Sequence, residues 1–174
     1  LLGAHQMENA CTTVAAITAL RERGAKIHPQ AVHRGLAAVK WPGRLEILGR
    51  RPFVVVDGAH NAYSVQKLME ALSAYLHYRR LLVIFGAGTT HNPADLLPAL
   101  LEKADRVFVT RSQHAKATPV ADLVSIVQGL GGQATAAATV ALALAQALEE
   151  AEPSDMVLVT GSLFVVAEAR EAWM

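Results

Sequence analysis

From Phe53 onward the chain repeats one unit: a short, strongly apolar run, a brief polar or glycine-bearing connection, and a longer stretch with apolar residues at helical spacing. Phe53-Val54-Val55-Val56 is β-branched and aromatic without interruption, which reads as a strand covered on both faces. Leu81–Phe85, Val107–Thr110 and Met156–Thr160 read as further strands, and Arg44–Leu48 and Gln133–Ala136 as shorter ones. Helices are predicted from Asn61 to about Tyr75, from the Asn92-Pro93 cap to about Lys103, from the Thr118-Pro119 cap to about Leu130, and from about Val140 to Glu150. Gly161-Ser162 opens the last helix. Strands and helices alternating with such short connections specify an α/β fold, a doubly wound, mostly parallel, Rossmann-like sheet with helices on both faces.

The first forty residues follow another pattern. Glu8 to Arg23 carries apolar residues at helical spacing and stops at Gly24, a suitable residue to follow a helix end. Pro29 opens a second, shorter helix to about Ala38, and Lys40-Trp41-Pro42-Gly43 then breaks the periodicity. Residues 1–40 therefore read as a helical hairpin, 41–48 as linker and first strand, and 49–174 as the α/β domain. The chain opens on Leu1 instead of methionine, so it is expected to be a piece of something longer.

Composition narrows the class of function. Sixteen basic residues against fifteen acidic ones leave a net charge of +1, with no basic stripe to attract nucleic acid. Cys11 is the only cysteine, which excludes an intrachain disulfide and points to a reducing, cytoplasmic location. No apolar run is long enough to span a bilayer, so no membrane partner is expected.

Chemistry in such a fold is expected past the carboxyl ends of the strands, where open α/β sheets bind ligands. Four strand ends there are polar or glycine-rich: Asp57-Gly58-Ala59-His60, Gly86-Ala87-Gly88-Thr89, Thr110-Arg111-Ser112 and Thr160-Gly161-Ser162. Asp57 reads equally as a turn acid holding local N–H groups and as an acceptor for a ribose diol. His60 stands beside the helix start capped by Asn61, where the dipole favours an anion. Arg44, set behind Pro42-Gly43, suits a phosphate contact or an interdomain salt bridge. Gly86-Ala87-Gly88 lacks the third glycine of a dinucleotide fingerprint, and no complete Gly-x-x-x-x-Gly-Lys-Ser/Thr cradle occurs. His28, His91 and His114 are dispersed without ligand spacing, so no metal is assigned to this chain.

Three motifs in order, Leu1-Leu2-Gly3-Ala4-His5-Gln6-Met7-Glu8-Asn9-Ala10, Trp41-Pro42-Gly43-Arg44-Leu45-Glu46 and Asp57-Gly58-Ala59-His60-Asn61, make the chain resemble the C-terminal part of folylpolyglutamate synthase / dihydrofolate synthase, in the Mur ligase superfamily. Thr160-Gly161-Ser162-Leu163-Phe164 resembles that family's last strand-to-helix turn, so the likeness covers essentially the whole chain. It implies an ATP-dependent ligase in which a pteroate or folate carboxylate becomes an acyl phosphate and is attacked by the amino group of glutamate. It also implies that residues 1–40 close a central ATPase domain, while the phosphate loop, the magnesium ligands and most of the folate site lie in sequence not present here. The resemblance assigns Asn9, with Gln6, to the adenine, Arg44 to ATP phosphate or ribose, Asp57 to the ribose, and His60 to the neighbourhood of the γ-phosphate. Arg111, Ser112, His114 and Ser162 lie on the rim where the amino-acid substrate would sit.

The implied cofactors are ATP and magnesium, and the implied partners are folate or dihydropteroate and glutamate. The full-length protein is expected to be a monomer, and the excised piece to be inactive alone with apolar surface through which it could self-associate. Alternatives are a ligase of another Mur-type substrate, such as a peptidoglycan precursor or amino-acid polymer, and a non-catalytic nucleotide-binding module. One departure stands out: family members commonly carry an Asp-Lys-Asp-like sequence after the strand ending at Phe85-Gly86, whereas this chain reads Ala87-Gly88-Thr89-Thr90-His91-Asn92-Pro93.

Overall fold

The computed structural model describes residues 1–90 and 92–174; His91, singled out above, lies outside the described residues. The chain divides into two compact units, Leu1–Pro42 and Gly43–Met174. The first consists of α1 (Ala4–Glu22) and α2 (Pro29–Ala38). Gly24 follows α1 with φ 94°, a left-handed conformation that glycine adopts without steric cost. Helix α1 begins four residues earlier than its apolar spacing indicates, because Gly3 at its N-cap supplies no side-chain hydrogen bond and so leaves no start signal. Helix α2 opens on Pro29 behind His28, whose ring Nδ1 accepts from the Gln30 N–H. It buries no residue, and Gln6 is the only buried residue of α1.

The second unit holds a six-stranded sheet. Its elements are β1 (Glu46–Arg50), β2 (Phe53–Val56), α3 (Ala62–Tyr75), β3 (Leu81–Phe85), α4 (Pro93–Leu101), β4 (Arg106–Val109), α5 (Val120–Gly129), β5 (Thr135–Ala136), α6 (Val140–Glu150), β6 (Met156–Thr160) and α7 (Leu163–Trp173). The strand order is β1-β2-β6-β3-β4-β5. All neighbours are parallel except β1, which runs antiparallel to β2 and reaches Arg50, through residues that sequence alone assigns to a turn. Helices α3, α4 and α5 pack side by side in one layer, and α6 and α7 form the other.

Strand pleating sorts the core. Val54, Val56, Leu82, Ile84, Val157 and Val159 share one buried cluster with Val140, Ala143, Leu144 and Ala147 of α6 and Val165, Val166 and Ala169 of α7. The alternate residues point to the opposite face, as the two-residue period of a strand requires. The centre of the sheet is dry: β3 and β6 are buried at every position.

At the amino end of the sheet, Asp155 is fully buried and accepts from Arg80 Nη2 at 2.6 Å, Arg80 Nε at 3.0 Å and the Glu152 N–H at 2.8 Å. The Arg80 hydrogen bonds hold its carboxyl well below the ordinary 3.8, at about 2, against the opposing effect of burial. This network stands at the pole away from the glycine-rich strand ends and serves stability. No described helix is long and apolar enough to cross a membrane.

Candidate functional site

The site is built by what happens where β2, β3, β4 and β6 stop. Two close backbone approaches form its floor. A Cβ on Gly86 would lie 2.7 Å from the Thr110 carbonyl oxygen, and one on Gly161, which has φ 100°, would lie 2.6 Å from the Gly86 carbonyl oxygen. Both positions therefore need glycine, and the strand ends can converge only because they have it.

Past β2, Asp57 is a half-buried hub for main-chain N–H groups. Its Oδ2 accepts from Leu45 N at 2.7 Å and its Oδ1 from Ala59 N at 2.8 Å. The segment before β1 is tied to the same turn by Gly58 N donating to the Gly43 carbonyl at 2.9 Å. Leu45 is buried with φ 41°, the only described non-glycine residue with positive φ, and Gly43 has φ 73°. Glu46 completes the clamp, its Oε2 accepting from Gly43 N at 2.7 Å and pairing with Arg170 Nε at 2.8 Å. Arg44, exposed, thus sits between two left-handed residues on a loop fixed at both ends. The turn-acid reading of Asp57 is realised in the structure; its bonds to Leu45 and Ala59 determine where Arg44 stands.

His60 is exposed at the next corner, and its Nδ1 lies 2.8 Å from the Gly58 carbonyl oxygen. A carbonyl only accepts, so this bond assigns the proton to Nδ1. Asn61 caps α3 in a reciprocal box: its Oδ1 accepts from Ser64 N at 2.8 Å, while Ser64 Oγ accepts from the N–H groups of His60 and Asn61, each at 3.1 Å.

A cleft of about 210 Å³ opens between the β3–α4, β4–α5 and β6–α7 connections, lined among others by His60, Ser112, His114, Lys116, Ser162 and Phe164. Four residues singled out in the sequence, His60, Ser112, His114 and Ser162, are brought together there. Arg111 is exposed on the same connection but does not line the cleft, and neither do Arg44 and Asp57. Ser162 caps α7, its Oγ accepting from Phe164 N at 3.2 Å. His114 stacks on Phe164 with ring centroids 3.9 Å apart and 17° between planes. Its Nδ1 accepts from Lys116 N at 3.2 Å, and the Lys116 carbonyl accepts from Thr89 N at 2.8 Å, so the β3–α4 and β4–α5 connections are laced together. Thr118 does not cap α5 as its sequence suggests: Pro119 occupies the cap position, and the Thr118 hydroxyl is buried with no hydrogen-bond partner among the described residues.

In the other unit, Asn9 Nδ2 donates to Gln6 Oε1 at 3.1 Å, and Gln6 Nε2 lies 2.9 Å from His5 Nε2. The two predicted adenine contacts are hydrogen-bonded neighbours one helical turn apart. Lys116 and Phe164, which also line the cleft, were not singled out in the sequence. The signal available for Lys116 was its place two residues beyond His114 on the same rim, and for Phe164 its place just past the Ser162 cap.

A larger hollow of about 670 Å³ borders the turn between α1 and α2, lined by Thr18, Arg21, Glu22 and Lys26 among others. It lies far in sequence from every strand end, and the strand ends, more than volume, mark where an α/β sheet binds its ligand.

Comparison with known proteins gives a consistent picture. Residues 43–163 match the family model described as Mur ligase, glutamate ligase domain. A Halobacterium salinarum protein named probable bifunctional folylpolyglutamate synthase/dihydropteroate synthase is 39% identical over 99% of this chain, which covers 21% of that protein. A Streptomyces coelicolor UDP-N-acetylmuramoyl-L-alanyl-D-glutamate–2,6-diaminopimelate ligase is 33% identical over 88% of the chain and 32% of its own length. Among solved structures, Mycobacterium tuberculosis folylpolyglutamate synthase complexed with ADP and AMPPCP superposes with a TM-score of 0.89 at 27% identity, over 99% of this chain and 41% of that one. The chain thus spans less than half the length of each of these relatives.

Proposed function

Since the chain belongs to the Mur ligase family through its glutamate ligase domain, we propose that it is the C-terminal part of an ATP-dependent ligase joining glutamate to a folate or dihydropteroate carboxylate. The observation that carries this reading is the extent of the likeness: similarity to folylpolyglutamate synthases runs through both units and 99% of the chain, not through the α/β domain alone. The three ordered motifs lie within that span. ATP would supply the phosphoryl group that turns the carboxylate into an acyl phosphate. The glutamate amine then attacks the acyl carbon, an amide bond forms, and phosphate leaves.

Each site residue has a physical task in this scheme. Arg44, on its clamped loop, offers a positioned guanidinium to ATP phosphate or ribose. Asp57, held by Leu45 and Ala59, accepts from the ribose diol. His60, with Nδ1–H tied to Gly58, presents a ring of fixed orientation near the γ-phosphate. Gln6 and Asn9 meet the adenine edge as a linked amide pair. Ser112, His114 and Ser162, with Arg111 at the outer rim, receive the amino acid. We place the magnesium ligands outside this chain, in keeping with its spanning less than half the length of the relatives it matches. The reaction is assigned to the cytoplasm, in keeping with a single cysteine.

The test is ATP-dependent incorporation of labelled glutamate by the full-length protein, offered dihydropteroate and reduced folate in turn. Incorporation into either is expected; none into both would refute the reading. The likeness to the diaminopimelate ligase supports a second reading, a ligase of a peptidoglycan precursor. Incorporation of diaminopimelate in place of glutamate in the same assay would favour it.

A further inference from the structure

Resting on the proposed ligase reading, we infer that Arg170 of α7 is a positioning residue for ATP binding, acting through Glu46 to hold the loop that presents Arg44 to the nucleotide. One stripe of α7 runs along that loop. Leu163, Val166, Arg170 and Trp173 follow one another at spacings of three and four residues, which puts them on a single face of the helix. A Cβ on Gly58 would overlap the Leu163 side chain, one on Gly43 would lie 2.9 Å from Val166 Cγ1, and one on Gly49 would lie 2.9 Å from Trp173 Cζ2. Between Val166 and Trp173, Arg170 Nε lies 2.8 Å from Glu46 Oε2, and the same oxygen accepts from Gly43 N at 2.7 Å. The stripe is therefore apolar except for one guanidinium, and that guanidinium meets the carboxylate that holds the residue before Arg44.

Stability alone does not account for an arginine at this place. Arg170 Nε is buried and makes no directed hydrogen bond among the described residues, so its link to Glu46 is that of opposite charges. Such a pair returns little beyond its desolvation cost, and apolar side chains of similar volume often pack as well. What the pair adds is direction. The two N–H groups that flank Arg44 are each held by a carboxylate, Leu45 N by Asp57 and Gly43 N by Glu46. Asp57 is fixed by a second bond, from Ala59 N, whereas Glu46 opens the edge strand β1 and is oriented by Arg170. Without that cation the partly exposed Glu46 side chain turns to water and the Arg44 loop keeps one hold instead of two. A positioned group displaced by about 1 Å can lose about a hundredfold of its effect. Glu168, two residues earlier on the same helix, serves another loop, its Oε1 accepting from Gln113 N at 2.7 Å.

The test is calorimetric ATP binding by the full-length protein with Arg170→Gln, Glu46→Gln and Arg44→Gln, singly and in pairs. Arg170→Gln and Glu46→Gln are each expected to raise the ATP Kd about tenfold, equivalent to about 1.4 kcal/mol. In the Arg44→Gln background either should add less than about twofold, because an effect transmitted through Arg44 vanishes with it. Arg170→Lys keeps the charge and should restore most of the affinity. Glu168→Gln, which removes a contact from the same helix to another loop, should leave ATP binding unchanged. Glu46→Gln breaks the pair without altering α7, so the test stands even where Arg170→Gln fails to fold. Wild-type ATP affinity in Glu46→Gln, losses that add to that of Arg44→Gln, or an equal loss in Glu168→Gln would overturn the role. Incorporation of labelled glutamate by the same variants separates this inference from the ligase reading. Arg170-dependent ATP binding without incorporation would reject the reaction and keep the positioning role, whereas incorporation with ATP affinity indifferent to Arg170 would reject the role and keep the reaction.

Discussion

Replacing Asp57 with asparagine in the full-length protein probes whether this carboxylate organises the Arg44 loop or serves only as a ligand. Asparagine keeps one acceptor oxygen and turns the other into an NH2 group, so it can satisfy Leu45 N or Ala59 N but not both. Hydrogen bonds to a charged group contribute about 1.5–3 kcal/mol, and a donor left facing a donor adds its desolvation cost. If the amide turns to keep Ala59, Leu45 also loses the bond that holds it at φ 41°, a conformation costing about 1–2 kcal/mol. The expected destabilisation of the α/β unit is therefore about 2–3 kcal/mol, or a fall in Tm of about 6–12 °C for a unit of this size. Calorimetry and urea unfolding of wild type and variant measure it, while an ATP titration follows the loosened Arg44 loop as a raised Kd. An unchanged Tm with weakened ATP binding would show that Asp57 is a ligand alone and refute the organising role. A lowered Tm with unchanged ATP affinity would refute the ribose contact.

Three further outcomes are expected. Gly161→Ala places a Cβ 2.6 Å from the Gly86 carbonyl oxygen and 2.6 Å from Phe85 Cε2 at φ 100°, so strain and overpacking together should cost about 3 kcal/mol in urea unfolding; a loss below about 1 kcal/mol would mean the strand ends are not in close contact. Asp155 has a folded pKa lowered to about 2, so its stabilisation is complete above the ordinary carboxylate value of 3.8 and is lost as pH falls through about 2; Asp155→Asn should be less stable at pH 7 and flatter than wild type between pH 4 and 2, and parallel stability–pH curves would contradict this. The 174-residue chain alone should release no ADP from ATP with glutamate and pterin present, and turnover at the rate of a full-length relative would overturn the assignment of the phosphate loop to missing sequence.

How far these features were legible depended on whether their cause was local. The limits of α2, β3, α6 and β6 follow from their own residues, since proline openings and unbroken apolar runs need no distant partner. Asn61 was recognisable as a cap because Ser64, three residues on, closes the box. The antiparallel run of β1 through Arg50 was not visible, because Gly49 and Arg50 read as turn residues and only pairing with Phe53 and Val54 makes them strand. Thr118 looked like a cap from its identity alone, yet the cap falls on Pro119. The same division runs through the site. Asp57, His60, Ser112, His114 and Ser162 announced themselves at strand ends. The Asp57–Leu45 bond spans twelve residues, and the Lys116 carbonyl is met by Thr89 from another connection, so these contacts needed the fold.

The position of β6 bears on how the unit is made. It lies between β2 and β3, yet follows β2 by roughly a hundred residues, a separation that raises the entropic cost of closing the sheet. On the ribosome, β2 and β3 emerge long before the strand that joins them, each with an unpaired apolar edge that invites aggregation. Until Met156–Thr160 has cleared the exit tunnel the two halves of the sheet have no common strand, so the turn at Asp57 and the cleft floor at Gly86 and Gly161 can take up their places only at the end of the unit's synthesis. A nascent chain halted before Met156 is therefore a substrate for chaperones and proteases, and the sheet of the α/β unit is completed in one late step.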